Sequence, residues 1–464
     1  MRFFMALIAG WFVLVAVQAA APPIPPRPPN IIFILADDLG YGDLGCYGQK
    51  KIQTPHLDRL AAEGMRFTQC YAGTTVCAPS RSSLMTGQHT GHTRVRANDA
   101  SPLLPEDVTV AEVLQKAGYS TGLMGKWGLG LANTTGTPDK KGFEEFFGFL
   151  DQTQAHDYYP TNIWRNERLL LLDANTNGQR QIYIHDQFTL AATNFIRINR
   201  RFPFFLYLAY TIPHAHNELG QRTGNGMEVP SDAPYSKEAW PQPERNKAAM
   251  ITRMDRDIGK ILEFIRGFNL ETNTVIFFTS DNGPHREGGV NPEFFQSSGP
   301  LRGIKRDLYE GGLRVPMIVR WTGRIQPGQV NDAPWAFWDF LPTAAEIAGR
   351  LDQVPPKLDG QSILPTLLGR PQKPHEFFYW EFHEQGSKQA VRTGDWKAVR
   401  LALGQPLELY DLKTDPGETN NVATAQPAVM AKIENYLKTA RTESPLYPLR
   451  PKATKRAGAP AEAN

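Results

Sequence analysis

Apolar residues in this chain gather into short, dense runs, and the stretches between them carry helical spacing. Residues 31–35, 204–210 and 274–280 are dominated by Ile, Leu, Phe, Tyr and Val; 120–124 and 315–321 read the same way less purely. A strand wetted on one face alternates apolar and polar residues, whereas runs of this kind fit strands covered on both faces. Helical patterns occupy 108–118, closed by Gly118, then 186–199, 244–268 and 336–348. Runs alternating with helices predict an α/β sandwich around a central, mainly parallel sheet. The pattern changes after about residue 371. Short segments at 377–382, 389–393, 396–401 and 407–412 are separated by turn residues, and a helix follows at 427–441. That predicts a small antiparallel sheet with one helix. The reading is a larger unit over 30–370, a smaller one over 371–445, and a solvated, flexible tail over 446–464.

Composition narrows the function classes. The 464 residues are 41% hydrophobic and 21% charged, with net charge +3. That balance argues against a nucleic acid or a membrane surface as partner. Residues 1–20 hold one cation, Arg2, an apolar run and a small-residue stretch around Ala19 to Ala21, the pattern of a cleavable export signal. The run is short for a membrane span, and a Pro-rich linker over 21–29 follows. The expected location is therefore periplasmic or secreted. Three cysteines, Cys46, Cys70 and Cys77, cannot build a disulfide scaffold. Cys46 and Cys70 fit either a bridge or two small buried side chains. An odd cysteine in an exported chain points to another task.

Polar groups with chemical potential follow the apolar runs: Asp37-Asp38 after 31–35, Lys126 after 120–124, His214 after 204–210, and Asp281-Asn282 after 274–280. Open α/β sheets bind ligands outside the carboxyl ends of their strands, so all four belong to one crevice. Asp-Asn-Gly alone is an ordinary turn; four such groups at corresponding places are not. Three carboxylates and one amide carbonyl are hard oxygen donors, which select Ca²⁺ or Mg²⁺ rather than Zn²⁺.

The segment Cys77-Ala78-Pro79-Ser80-Arg81, with Thr86-Gly87 after it, resembles the signature of the sulfatases, the sequence read by the enzyme that oxidises cysteine to formylglycine. Further blocks of that family follow in order: Asp37-Asp38, Gly125-Lys126-Trp127, Pro213-His214, Ser280-Asp281-Asn282-Gly283, and Lys305 with Tyr309-Glu310-Gly311-Gly312. The resemblance runs from about residue 30 to 421. It implies an alkaline-phosphatase-like sandwich, a maturation enzyme as partner, and hydrolysis of sulfate esters. Formylglycine at 77 would be hydrated to a geminal diol; one hydroxyl attacks sulfur, and the other loses its proton to expel sulfate and restore the aldehyde. Asp37, Asp38, Asp281 and Asn282, with the oxygen at 77, would hold Ca²⁺ or Mg²⁺. Arg81, Lys126 and Lys305 would offer positive charge where negative charge develops, and His214 would protonate the leaving alcohol.

The chain departs from the family at Gly128, where a histidine commonly follows the Lys-Trp pair and helps handle the diol proton. Either another group takes over, with His156, His216 and His92 as the sequence's candidates, or the second step runs on His214 and the metal-bound diol alone. For the substrate, expected to be a sulfated carbohydrate, the hydroxyl-binding candidates are Arg96, Asn98, His156, His216, Asn217 and Glu218. A phosphate or phosphonate ester hydrolase on the same fold, and a non-catalytic sulfated-glycan binding protein, are the rival readings. Relative rates on nitrophenyl sulfate and nitrophenyl phosphate separate the first; intact affinity after Cys77→Ala would identify the second.

Overall fold

A computed structural model describes residues 27–384 and 386–451. The export signal, most of the linker and the end of the tail lie outside these residues. The larger sheet holds β1 (Asn30–Ala36), β2 (Met65–Tyr71), β3 (Ser120–Lys126), β4 (Glu145–Phe149), β5 (Asn162–Arg165), β6 (Arg168–Leu171), β7 (Phe204–Ala209), β8 (Thr274–Ser280), β9 (Arg314–Trp321), β10 (Gln329–Asn331) and β11 (Trp335–Ala336). Their order is β10-β2-β9-β8-β1-β7-β3-β4-β5-β6, with β11 also on β2. Strands β8, β1, β7, β3 and β4 run parallel; β9 is antiparallel to both its neighbours, β8 and β2. The sheet is mainly parallel, as the dense apolar runs predict.

Side-chain alternation explains why those runs are so dense. Ile32 and Ile34 of β1 join Leu206, Leu208, Ile276 and Phe278 on one face. Ile31, Phe33 and Leu35 join Phe205, Tyr207, Val275 and Phe277 on the other. Helices α4 (Ile184–Asn199) and α5 (Gln242–Gly267) cover the first face. Helices α2 (Cys77–Thr86), α3 (Val110–Lys116) and α6 (Phe340–Ile347) cover the second, and α1 (Pro55–Ala62) packs against α5. Both faces are dry, so neither set of alternating positions is polar.

A four-stranded antiparallel sheet of β12 (Phe378–Phe382), β13 (Lys388–Thr393), β14 (Trp396–Arg400) and β15 (Glu408–Asp411) follows, in that order, with a helix at Pro427–Thr439. Its Phe378, Trp380 and Phe382 share an apolar cluster with Tyr71, Val76 and Trp338. Cys46 and Cys70 are both free thiols, which resolves that alternative against a bridge. Among the described residues no helix is long and apolar enough to cross a membrane.

Candidate active site

The residues after β8, β1, β7 and β3, four consecutive strands, meet at one end of the sheet. Helix α2 supplies the rest. All ten of its residues are buried, which is why it lacks the one-sided pattern of a surface helix. Pro79 lies in its first turn, and Gly87 closes it at φ +70°. Cys77 opens the helix and Arg81 stands one turn later on the same side. Ser80 ties the helix to the sheet: its hydroxyl donates to the Asp281 carbonyl at 2.6 Å and accepts from Gly73 N–H at 3.1 Å.

The charged side chains interlock. Lys126 Nζ donates to Asp37 Oδ2 at 2.8 Å. Arg81 donates through Nε and Nη2 to Asp281 Oδ2, at 3.1 and 2.8 Å, and its Nη2 is 3.5 Å from Asp37 Oδ2. Lys305 Nζ reaches Asp38 Oδ2 at 2.9 Å and Glu287 Oε2 at 3.0 Å. Asn282 Nδ2 donates to Asp38 Oδ1 at 2.7 Å, and Cys77 Sγ lies 3.3 Å from Asp37 Oδ1. Asp38 holds φ +64°, strained for a residue with a Cβ, and its N–H donates to Asp281 Oδ1 at 3.1 Å.

Two features of this cluster are compatible with a bound cation. Asn282 Oδ1 is buried without a hydrogen-bond partner, a rare condition for a carbonyl oxygen. Ligand atoms of Asp37, Asp38, Cys77 and His214 all lie within 4.8 Å of one another. Carboxylate and amide oxygens of this kind suit Ca²⁺ or Mg²⁺.

The electrostatics follow from burial and pairing. Burial by itself raises Asp37 and Asp38, but Lys126 with Arg81, and Lys305 with His214, outweigh it and hold both carboxyls below the usual range. Asp281 is pushed up to about 7 by burial and then by Asp37, against the pull of Arg81. Burial, followed by Asp37, lifts the Cys77 thiol well above its ordinary value. His214 falls to about 4 through burial and then Lys305. Its ring orientation is set: Nδ1–H donates to the Ala215 carbonyl at 2.7 Å, which leaves Nε2 to accept from Lys305 Nζ at 3.2 Å.

The substrate candidates divide. His156 stacks on His214 with ring centroids 4.5 Å apart, and its Nδ1 is 3.4 Å from the Glu218 carboxylate. Asn217 Oδ1 is buried and unpartnered. His216 Nδ1 is engaged by Glu228. Arg96 and Asn98 are committed to the protein: Arg96 donates to the Thr93 carbonyl at 3.0 Å and faces Glu381, while Asn98 Oδ1 accepts from Ala78 N–H at 2.8 Å. His92 is paired with Asp359 and not with this cluster. Sequence reasoning missed Ser80 as a tether and Glu287, which links Lys305 to Arg306. Glu287 lies five residues past Asn282, in a segment without periodicity, so no pattern pointed to it.

The family model for sulfatases matches residues 29–350, and a model for the C-terminal part of N-sulphoglucosamine sulphohydrolase matches 304–443. Human arylsulfatase A is 33% identical, the alignment covering 88% of this chain and 87% of that protein. The N-acetylgalactosamine-6-O-sulfatase of Bacteroides thetaiotaomicron is 29% identical, covering 89% and 93%. The solved structure of Ps i-CgsB, also known in complex with k-i-k-neocarrahexaose, is 29% identical and superimposes with TM-score 0.76 over 89% of this chain and 93% of that one. The fold is thus the alkaline-phosphatase-like sandwich of those structures, and the chain belongs to the sulfatase family, the sulfuric ester hydrolases.

Proposed function

We propose that this chain hydrolyses sulfate esters of carbohydrates through a formylglycine made from Cys77 by a maturation enzyme, beside Ca²⁺ or Mg²⁺ held by Asp37, Asp38, Asp281 and Asn282. The observation that carries the reading is the unpartnered Asn282 Oδ1 on a side chain whose Nδ2 donates to Asp38, next to the gathered ligand atoms of Asp37, Asp38, Cys77 and His214. The raised thiol at Cys77 supports it from another side. A buried cysteine whose charged form is disfavoured is a poor nucleophile, which agrees with a modified residue at this position. A hydrated aldehyde supplies a nucleophilic hydroxyl and a second one able to release sulfate; a divalent cation acidifies it and polarises the ester.

The chain's own residues then divide the work. Arg81, Lys126 and Lys305 hold fixed positive charge toward the sulfate, where charge develops. His214 Nε2 faces the leaving oxygen. In the free protein His214 is neutral, because burial and Lys305 disfavour its cation. An anionic ester beside Lys305 offsets that repulsion, and the imidazole becomes able to hold the proton given to the alcohol. His156, Asn217 and Glu218 form the polar wall on the sugar side, with His216 behind them. The named relatives support the saccharide class: one is an N-acetylgalactosamine-6-O-sulfatase and another is seen with a neocarrahexaose. We also divide the chain into a catalytic unit over 30–370 and a supporting one over 371–445, and place it in the periplasm or outside the cell.

The test is peptide mass spectrometry at residue 77 after aldehyde labelling, with turnover measured on defined sugar sulfates, aryl sulfates and steroid sulfates. An aldehyde at 77 and a clear preference for a saccharide are expected. Full activity with an intact thiol would overturn the nucleophile. A best saccharide no better than the aryl or steroid esters would overturn the substrate class.

A further inference from the structure

An ammonium carries three N–H donors, and Lys305 Nζ meets three acceptors: Asp38 Oδ2 at 2.9 Å, Glu287 Oε2 at 3.0 Å and His214 Nε2 at 3.2 Å. Every proton on this nitrogen is therefore already aimed at the protein. Two of the acceptors are carboxylates, and the third is an imidazole at the longest distance. Ion pairs hold harder than a charged donor on a neutral ring, so the N–H aimed at His214 is the one that an arriving ester turns most easily. Ligand atoms of Asp38, His285 and Glu287 also lie within 4.8 Å of one another, but the cation between these two carboxylates is the ammonium.

Glu287 is held from both sides. Its N–H donates to His285 Nδ1 at 3.0 Å, which leaves Nε2–H of that ring to donate to the Pro213 carbonyl at 3.1 Å. The backbone of Glu287 is thereby tied to the loop that carries His214. At the other end, Oε1 accepts from Arg306 Nη1 at 2.6 Å, and Arg306 Nε donates to Glu384 Oε2, in the turn between β12 and β13, at 3.2 Å. Arg306 is fixed in turn: its N–H donates to the Thr75 carbonyl at 3.0 Å, two residues before Cys77, and its carbonyl accepts from Lys388 Nζ at 2.9 Å. A carboxylate braced in this way can hold a lysine in one place.

We propose that Glu287 is a positioning residue for Lys305: it shares the ammonium with Asp38, so that the third N–H alone is free to turn to the ester, and it offsets part of the positive charge at that edge of the crevice. The inference rests on the sulfate-ester reading above. The second half of the role follows from charge. A sulfate ester enters as a monoanion, and inorganic sulfate leaves as a dianion. An unbalanced cation therefore favours the product over the substrate, while a misplaced one gives less to the transition state.

The experiment measures kcat on nitrophenyl sulfate and the inhibition constant of inorganic sulfate for the matured full chain, as wild type, Glu287→Gln and Glu287→Asp. E287Q, which keeps the size and loses the charge, should lower kcat about tenfold and tighten sulfate inhibition about threefold. E287D, which keeps the charge and loses the reach, should lower kcat while its sulfate inhibition stays near that of wild type. A residue that only supports the fold would weaken turnover and sulfate binding together in both variants, and that result overturns the proposal. Unchanged kcat in E287Q overturns it as well. Should neither variant fold, Glu384→Gln, which frees the far side of Arg306, should show the same opposed changes at about twofold, and no change there overturns the proposal. Wild type without activity on the sulfate ester would instead remove the reading on which the proposal rests.

Discussion

Among the buried clusters of charge in the described residues, one lies in the crevice and another at the seam between the sheets. At the seam, Glu310 accepts from Arg314 Nε at 2.6 Å and from the Tyr71 hydroxyl at 2.8 Å, and Arg392 donates to the same hydroxyl. Lys397 Nζ sits 2.9 Å from both Glu310 and Glu418, ion-paired although off the line of a good hydrogen bond. Each cluster contains one acid lifted to about 7 by burial, Glu418 at the seam and Asp281 in the crevice. A displaced acid is therefore no mark of function by itself. The difference lies in where the oxygens point. At the seam a lysine bridges the two carboxylates, and the charges close on one another. In the crevice ligand atoms of Asp37, Asp38, Cys77 and His214 lie within 4.8 Å of one another, and the nearby Asn282 Oδ1 has no hydrogen-bond partner. Burial makes a cluster costly; an open acceptor makes it receptive.

Substitutions should separate the two by opposite effects. Cys77→Ala should reduce turnover by about 10⁴-fold or more, to background, with only a small change in melting temperature. Lys397→Met should do the reverse. It leaves two carboxylates facing each other without their cation, and breaking a buried pair costs about 3–5 kcal/mol. Turnover per folded molecule should stay within about twofold of wild type, since Lys397 touches nothing in the crevice. Denaturant unfolding and active-site-normalised rates check both. A Lys397→Met protein that is stable but inactive would show that the seam reaches the chemistry.

Chelation should sharpen the contrast next. Exhaustive removal of divalent cations should cut the rate by about 100-fold or more, and Ca²⁺ should restore it. Asn282→Ala should lower bound metal and rate together. Stoichiometric zinc in active protein, with no calcium or magnesium, would count against the oxygen site. A smaller effect is expected at His214. His214→Ala should slow sugar sulfates by about 10²- to 10⁴-fold and nitrophenyl sulfate far less, since nitrophenolate leaves without a proton. Equal losses on both would move His214 to another step.

Much of the crevice was legible because strands end where their apolar runs end. Asp37, Lys126, His214 and Asp281 follow such runs, and a parallel sheet brings those ends together without further information. Cys77 and Arg81 were legible through the signature that their segment resembles. The limits were equally physical. Arg96 is held by Glu381, 285 positions away on the small sheet, and Asn98 by the first turn of α2; no local pattern reveals a partner so distant. Ser80 stood inside the signature, yet its bond to the Asp281 carbonyl depends on how helix meets strand. The antiparallel β9 hides in a run no different from its parallel neighbours, because burial on both faces erases direction. Strand β2 alternates weakly and shifts register between Phe67 and Cys70, so its periodicity is broken.

The finest distinction is in pH. Asp281 in the ion-free protein holds its proton up to about 7, whereas an unfolded aspartate releases it near 4. A carboxyl raised by folding contributes stability that is full below the unfolded value and fades as pH rises through the folded one. The ion-free protein should therefore lose stability between about pH 4 and 7 from this residue. A bound dication needs the carboxylate form, so below about pH 7 it must displace a proton, and its affinity falls by up to tenfold per unit. The gain in melting temperature on adding Ca²⁺ should consequently be larger at about pH 8 than at about pH 5.5, by about 1–3 °C. Asp281→Asn should abolish that difference. Scanning calorimetry with and without Ca²⁺ at the two pH values reads the outcome. An equal gain at both would mean that Asp281 is ionised before the cation arrives, with Arg81 rather than the metal as its dominant partner.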